Sequence, residues 1–557
     1  MSPFSAADRA FYRAQGLWGE ETVPGMFAAT CARVPDRLAL VDAPNRAEVF
    51  EGAPRRLTYA QMRAEVDRLA GVLQAQGIRP GSLVATQLPN IVETVLLYLA
   101  LMQIGAVLSP ISIAYRSAEL RDLAGVAEFD AYISIARLKG QPFYAERLAA
   151  LPPAARRFGL GEGLPDGVVR LDTAEAGAPR PVPLDADDLV AVFWTSGTEG
   201  VPKAVPKTHN NMVSSSLGAW RHLDLPDGTN VLAPFPFVNA AAVGGLMMCW
   251  MRTAGALILH HPFDLGVFLA QLKSEVIGYT MVAPTILTYL REQAQDPELR
   301  PALKRLLAIG TGSAPADPEV LAVFQHDLDV PVANFFGSNE GAQMCSTVAR
   351  VPDPRLRAIS FPRDGDENWE PGLRTANGGT YKLVDPASGQ PVVEPGALGE
   401  MYLRGPTLMP GYFSREGIDR GKFTVDGYFA SGDLFRISEC GSLIQFHARL
   451  RELIVRGGMK ISPVELDNAL SALPGVREVA VVAYADPQMG EKVCLVAVML
   501  PGQVLDLAAV TAFCDRAGLA RFKWPERLEF RDALPRTPLA KLDRKALARW
   551  LADKEAT

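Results

Sequence analysis

From about residue 57 to 350 the chain alternates apolar runs of strand length with segments of helical periodicity, and no other feature constrains its fold as tightly. The runs at 83–88, 106–110, 131–135, 254–259, 279–282 and 306–310 are short and nearly continuous, as strands buried on both faces must be. Between them, 59–76, 91–104, 262–273 and 318–326 have helical patterning. Strand, helix and strand in this order predict βαβ crossovers, hence parallel sheets covered by helices on both sides. From 360 to 447 the texture changes to short strands between Gly, Pro and Asp turns, as at 399–404 and 442–447, which predicts a β-rich module. After His447 the charged run Arg449-Leu450-Arg451-Glu452 leads into a smaller unit, with strands at 476–484 and 492–500 and helices at 463–472 and 507–517.

The expected fold class is therefore α/β. Two parallel-sheet α/β subdomains and a β-rich subdomain form a large N-terminal body, 1–450, followed by a small C-terminal α+β domain, 451–557. A length of 557 residues suits several such units at about 150 residues each. The stretch 240–259 is long enough to cross a bilayer, but Arg252 and the glycines 244, 245 and 255 interrupt it. A buried helix followed by a buried strand is expected there, with no membrane insertion. Asp8, Arg9, Arg13, Glu20 and Glu21 leave no apolar signal region at the N-terminus. The net charge of −6 argues against a nucleic-acid partner. Six scattered cysteines with no CxxC pair suit reduced thiols in a cytoplasmic protein rather than disulfides or zinc.

The segment Thr195-Ser196-Gly197-Thr198-Glu199-Gly200-Val201-Pro202-Lys203 follows the apolar run 189–194. Gly197 and Gly200 can turn several N–H groups towards one anion, Thr195, Ser196 and Thr198 add hydroxyl donors, and Lys203 adds positive charge. This is a phosphate-holding composition, though an ordinary turn is built from the same residues. It is not a Walker loop, because Pro202 precedes Lys203 and Ala204 follows it. Phe336-Gly337-Ser338-Asn339-Glu340 ends another apolar stretch and offers a carboxylate, a hard ligand for Mg²⁺. Ser431-Gly432-Asp433-Leu434 sets an Asp behind a glycine turn, where it can accept both ribose hydroxyls. Gly310–Pro315 presents small residues against which a ring could lie, with Phe336 as a stacking face. Lys541 stands on a loop before a helix starting near Asp543. Taken singly, each of these is also what a turn or a solvated surface group looks like.

Together, with Gly399-Glu400 and the segment 449–465, these motifs come in an order and at spacings by which the chain resembles the adenylate-forming family of acyl- and aryl-CoA synthetases, standalone adenylation domains and luciferases. The resemblance runs from about Leu57 to Arg544 and implies activation of a carboxylic acid by ATP and Mg²⁺ to an acyl-adenylate, then transfer to a thiol, here CoA. By position it assigns Thr195, Ser196, Gly197, Thr198, Gly200 and Lys203 to the phosphates and Glu340 to Mg²⁺. Gly312, Ser313, Ala314, Asn334 and Phe336 match the adenine pocket, Gly337 is a further ATP-binding position, and Ser338 and Asn339 lie beside the α-phosphate and acyl carboxylate. Asp433 matches the ribose-binding acid and Arg449 its support. Lys541 matches the lysine that bridges the two anions, with Thr195 and Glu340 completing the catalytic set. Arg451 occupies the hinge of a rotating small domain, and Arg456, Gly457, Gly458 and Lys460 match the loop that serves thioester formation. Ala448 and Ala540 stand where glycine usually precedes the arginine and the lysine.

The acyl pocket is expected around Phe237, Val238, Asn239, Ala241, Gly312 and Gly341. Val238 offers no counter-charge to an α-ammonium group, and Phe237-Val238 replaces the His-Asn pair of dihydroxybenzoate and salicylate ligases. A non-hydroxylated acid, alicyclic, aryl or medium-chain, is therefore expected, as in the cyclohexanecarboxylate–CoA ligase branch. The alternative is a standalone aryl acid–AMP ligase that loads salicylate or 2,3-dihydroxybenzoate onto a carrier protein. Acetylation of Lys541 by a lysine acetyltransferase would silence adenylation.

Overall fold

The computed structural model describes residues 2–195, 202–312, 316–457, 459–537 and 541–555. The chain forms two compact units. One holds Met1–Tyr381 and Leu403–Phe429; the other holds Lys382–Tyr402 and Ala430–Thr557.

In the first unit the described residues form two large sheets. One has eight strands in the order 343–346, 332–337, 308–312, 279–282, 231–233, 257–259, 38–41 and 56–58. Its inner pairs are parallel and its two edge pairs antiparallel. The other has nine, in the order 417–419, 412–414, 203–208, 189–195, 107–110, 83–87, 131–135, 156–160 and 169–170. Strands 189–195, 107–110, 83–87, 131–135, 156–160 and 169–170 pair in parallel, as the βαβ alternation predicts. Strand Lys203–Thr208 was not expected, since Pro206 and two lysines disguise it. It pairs antiparallel with Leu189–Thr195, Thr195 opposite Lys203.

Helix Tyr59–Ala75 opens on a capping box between Thr58 and Gln61, which satisfies backbone donors at its first turn. Helix Val92–Gln103 is buried from Val92 through Met102, and its sequence is correspondingly apolar on every face. The long apolar segment folds as expected, into a helix interrupted by a π turn at Val243–Met247, then strand Leu257–Leu259. No helix among the described residues is long and apolar enough to cross a membrane, and all six cysteines are free thiols.

His209 is 1% exposed, and its Nδ1 accepts a hydrogen bond from Val23 N–H at 3.3 Å. Burial pushes its pKa down to about 4. Between the ordinary value near 6.5 and about 4 the unfolded chain takes up a proton that the folded chain refuses. The stabilising contribution, about 3 kcal/mol, is present above pH 6.5 and lost as the pH falls towards 4. The melting temperature is expected to drop between pH 7 and 4.5, and His209→Gln to flatten that slope. Calorimetry at several pH values checks this; parallel slopes for the two proteins would remove His209 as the cause.

In the second unit, strands 443–449, 429–437, 398–404 and 380–384 neighbour one another in that order, for most of their length. A further sheet is built on the pair Val476–Asp486 and Gly490–Met499. Side chains alternate across it, as the period of a strand requires. Val481, Val493 and Leu495 pack with Leu466, Leu470 and Val510 of two helices. Ala480, Val482, Cys494 and Val496 pack with Leu547 and Leu551 of helix Arg544–Glu555. That last helix follows Lys541 by three residues and anchors the loop that carries it.

Candidate active site

In the first unit, three hairpin or strand ends bring the candidate residues together. Thr195 and Lys203 face each other at the paired ends of the strand hairpin 189–195 and 203–208; Ser196, Gly197, Thr198 and Gly200 lie outside the described residues. Strands Val332–Gly337 and Gln343–Ser346 form a second hairpin, Gly337 opposite Gln343, with Ser338, Asn339 and Glu340 in its turn. Strand Ala308–Gly312 runs beside it, Gly312 opposite Phe335. A Cβ on Gly312 would stand 2.4 Å from the Phe335 carbonyl oxygen, so this close approach requires glycine. Ser313 and Ala314 lie outside the described residues.

Tyr412 joins the two hairpins. Its hydroxyl donates to Glu340 Oε1 at 2.9 Å, and Lys203 Nζ sits 4.8 Å from its ring centroid. One aromatic side chain thus fixes the carboxylate and carries the lysine on its face. Asn339 makes a second link, donating from Nδ2 to Trp194 O at 3.0 Å and accepting at Oδ1 from Ala240 N–H at 2.9 Å. It ties strand Leu189–Thr195 to the expected acyl segment. Lys207 makes a third: it is 2% exposed and donates from Nζ to Glu340 O at 3.0 Å and Thr407 O at 2.7 Å. Burial pushes its pKa down to about 7 against an upward pull from the Glu340 carboxylate. Sequence reasoning gave Tyr412 and Lys207 no role in the site; Lys207 drew notice only within Lys207-Thr208-His209, a stretch that resembles the dihydroxybenzoate and salicylate ligases.

In the expected acyl segment Phe237 and Val238 are buried, whereas Ala241 is exposed. Asn90 holds this segment, donating to Phe235 O at 2.8 Å and accepting from Phe237 N–H at 3.2 Å, while Tyr98 OH donates to Phe237 O at 3.0 Å. Asn239 accepts from Ala242 N–H at 2.9 Å and so caps the helical turn that follows. Asn334 is buried, with its amide donating to Arg357 O and Ala358 O, and Phe336 meets Phe361 edge-on at 6.1 Å.

Gly341 follows Glu340 in the first unit, and the second unit holds the remaining candidates. Asp433 lies within strand Phe429–Ile437 rather than behind a turn, because Gly432, at φ +80°, and a register shift at Leu434/Phe435 absorb the irregularity in the strand. It faces Arg449 across the ladder, Arg449 Nε standing 3.4 Å from Asp433 Oδ1. Glu400 accepts from Gly432 N–H at 2.9 Å, and Ser431 Oγ accepts from Asp433 N–H at 3.0 Å while donating to Met401 O at 2.6 Å. Arg456 pairs with Glu526 at 2.6 Å, Gly457 has φ +55°, Arg451 and Lys460 are exposed, and Gly458 lies outside the described residues. Lys541 is exposed; Thr537 N–H donates to Lys541 O at 2.7 Å, and Lys541 N–H to Thr537 Oγ1 at 3.2 Å.

The first unit thus combines a glycine- and hydroxyl-rich sequence segment, a lysine and a carboxylate, the parts from which polyphosphate sites are made. Two family models match the chain: "AMP-binding enzyme" over residues 27–413 and "AMP-binding enzyme C-terminal domain" over 465–541. The salicyl-AMP ligase / salicyl-S-ArCP synthetase of Mycobacterium tuberculosis is 29% identical, over 99% of this chain and 94% of its own length. The medium-chain fatty-acid–CoA ligase of Escherichia coli is also 29% identical, over 97% and 92%. The crystal structure of ATP-bound MatB from Rhodopseudomonas palustris covers 95% of this chain and 99% of its own, with a TM-score of 0.79 and 26% identity.

Proposed function

The chain belongs to the AMP-binding enzyme family, and from that membership we propose that it activates a non-hydroxylated carboxylic acid with ATP to an acyl-adenylate and pyrophosphate, then transfers the acyl group to CoA. The observation that carries this reading is the link from Lys203 through Tyr412 to Glu340, which gathers a cation for phosphate and a carboxylate for a metal. Mg²⁺ fits that donor set. No cluster of three or more His, Cys, Asp or Glu stands among the described residues, and Mg²⁺ is usually held by one or two carboxylates, substrate phosphates and water. Glu340 would hold it, and the bound ion would neutralise charge on the departing pyrophosphate.

Thr195, Ser196, Gly197, Thr198, Gly200 and Lys203 hold the β- and γ-phosphates, and Asp433, steadied by Arg449, accepts the ribose hydroxyls. Gly312, Ser313, Ala314, Asn334 and Phe336 line the adenine, with Gly337 also at the nucleotide and Ser338 and Asn339 beside the reacting groups. Lys541 stands between the acyl carboxylate and the α-phosphate, where a point charge offsets the repulsion of two anions and follows the charge as it moves to the leaving group. The domain beginning near residue 451 then turns about Arg451, withdraws Lys541 and presents Arg456, Gly457, Gly458 and Lys460 to the CoA thiol. Acetylation of Lys541 would stop the first half-reaction alone. The six free cysteines suit a cytoplasmic location.

Overall similarity does not choose the acid, because a salicylate ligase and a fatty-acid ligase are equally identical to this chain. The pocket residues must choose it. Phe237 and Val238 bring no polar group for a ring hydroxyl or an ammonium, and both are buried where an unpaired polar group would be costly. ATP–pyrophosphate exchange against cyclohexanecarboxylate, benzoate, octanoate, salicylate, 2,3-dihydroxybenzoate, acetate and phenylalanine tests this. Strong exchange is expected with one of the first three, and thioester formation when CoA is added. Preference for a hydroxylated benzoate with no CoA product would assign the protein to carrier loading instead.

A further inference from the structure

We infer that Lys207 is a positioning residue for adenylation, holding the Glu340 turn in register for its metal-bound substrate; the inference rests on the adenylation reading above. Its buried ammonium spans two segments far apart in sequence, donating to Glu340 O at 3.0 Å and Thr407 O at 2.7 Å. The same two segments are stitched by Met409 N–H to Glu340 O at 2.8 Å and Thr407 Oγ1 to Gly341 O at 2.8 Å. Segment 406–408 is itself anchored from behind. Trp18 Nε1 and Asn211 Nδ2 donate to Pro406 O at 3.1 and 2.7 Å, and Asn211 Nδ2 also donates to Leu408 O at 3.1 Å.

Packing alone does not call for a lysine here. A methionine fills similar space without the desolvation that a buried ammonium incurs. What lysine adds is a donor long enough to reach two carbonyls at once, one of them on the peptide of the residue that would ligate the metal. Groups that orient a metal-ligating residue act on metal affinity and on rate.

The test compares wild type with Lys207→Met and Lys207→Arg in two assays. One is ATP–pyrophosphate exchange as a function of Mg²⁺ and acid concentration; the other is thioester formation from CoA and supplied acyl-adenylate. For Lys207→Met, exchange is expected to fall about 10- to 100-fold with a raised Mg²⁺ requirement. The rate of thioester formation should stay close to the wild-type value, and Lys207→Arg should recover part of the exchange. Should Lys207→Met not fold, Thr407→Val, which removes the bond to Gly341 O from the opposite side, must show the same split. Equal loss in both half-reactions, or no change in the Mg²⁺ requirement, would overturn the inference and leave Lys207 a structural residue. If wild type itself exchanges with no acid, it is the adenylation reading that fails.

Discussion

Lys541→Ala is expected to lower ATP–pyrophosphate exchange by about 10³-fold while thioester formation from supplied acyl-adenylate continues at close to the wild-type rate. The structure makes this substitution a clean one. The loop is held by its backbone, through Thr537 N–H to Lys541 O and Asp543 N–H to Pro535 O at 2.9 Å. The following helix is fixed to its sheet by Leu547 and Leu551, and to helix Pro463–Leu470 by the ion pair of Arg544 with Asp467. The Lys541 side chain is exposed and lies outside the apolar cluster that seats this helix. Stability should therefore move by no more than about 0.5 kcal/mol, and the loss of rate reports the charge. Lys541→Gln, which like acetylation removes the charge, should behave as the alanine variant does. Exchange at the normal rate in either variant would strip Lys541 of its assigned role.

Gly341→Ala is expected to damage both fold and activity. Gly341 has φ +136°, and a Cβ there would stand 2.4 Å from Thr407 O, 2.5 Å from Leu408 Cα and 2.7 Å from Thr407 C. All three are backbone atoms of the segment that Trp18, Lys207 and Asn211 pin from behind, so no side-chain rotation relieves the clash. Backbone strain and overpacking together should destabilise the first unit by about 2–5 kcal/mol. In whatever protein folds, adenylation should fall about 100-fold, because the displaced peptide carries Glu340 with it. Urea unfolding and pyrophosphate exchange on the same preparation check both effects. Wild-type stability and rate together would mean that the Thr407 segment yields, and that it does not hold the Glu340 turn.

The readings that local pattern supports were the accurate ones. Continuous apolar runs marked the central parallel strands to within a few residues, and helices 59–75 and 318–326 closely match their expected spans. Strand Lys203–Thr208 was missed because Pro206 and Lys207 look like loop. Its partner Leu189–Thr195 and the neighbouring strand Tyr412–Ser414 hold it in the sheet regardless of its own preferences. The glycine before Asp433 suggested a turn, whereas the ladder on either side carries the chain straight through as an irregular strand.

The amino-acid sequence by itself determined the α/β class, the order of the elements and the short motifs, because each is written in residues near one another along the chain. It names Thr195, Lys203, Glu340, Asp433 and Lys541 without reference to any fold. Tertiary structure alone decided how the first three are held. Tyr412 reaches Glu340 across 72 positions, Lys207 reaches it across 133 and Thr407 across 200, and Asn339 reaches Trp194 across 145. No periodicity or spacing encodes such pairs. They exist because two sheets bring distant strand ends side by side, where a buried polar group must find its partner wherever the fold has placed one.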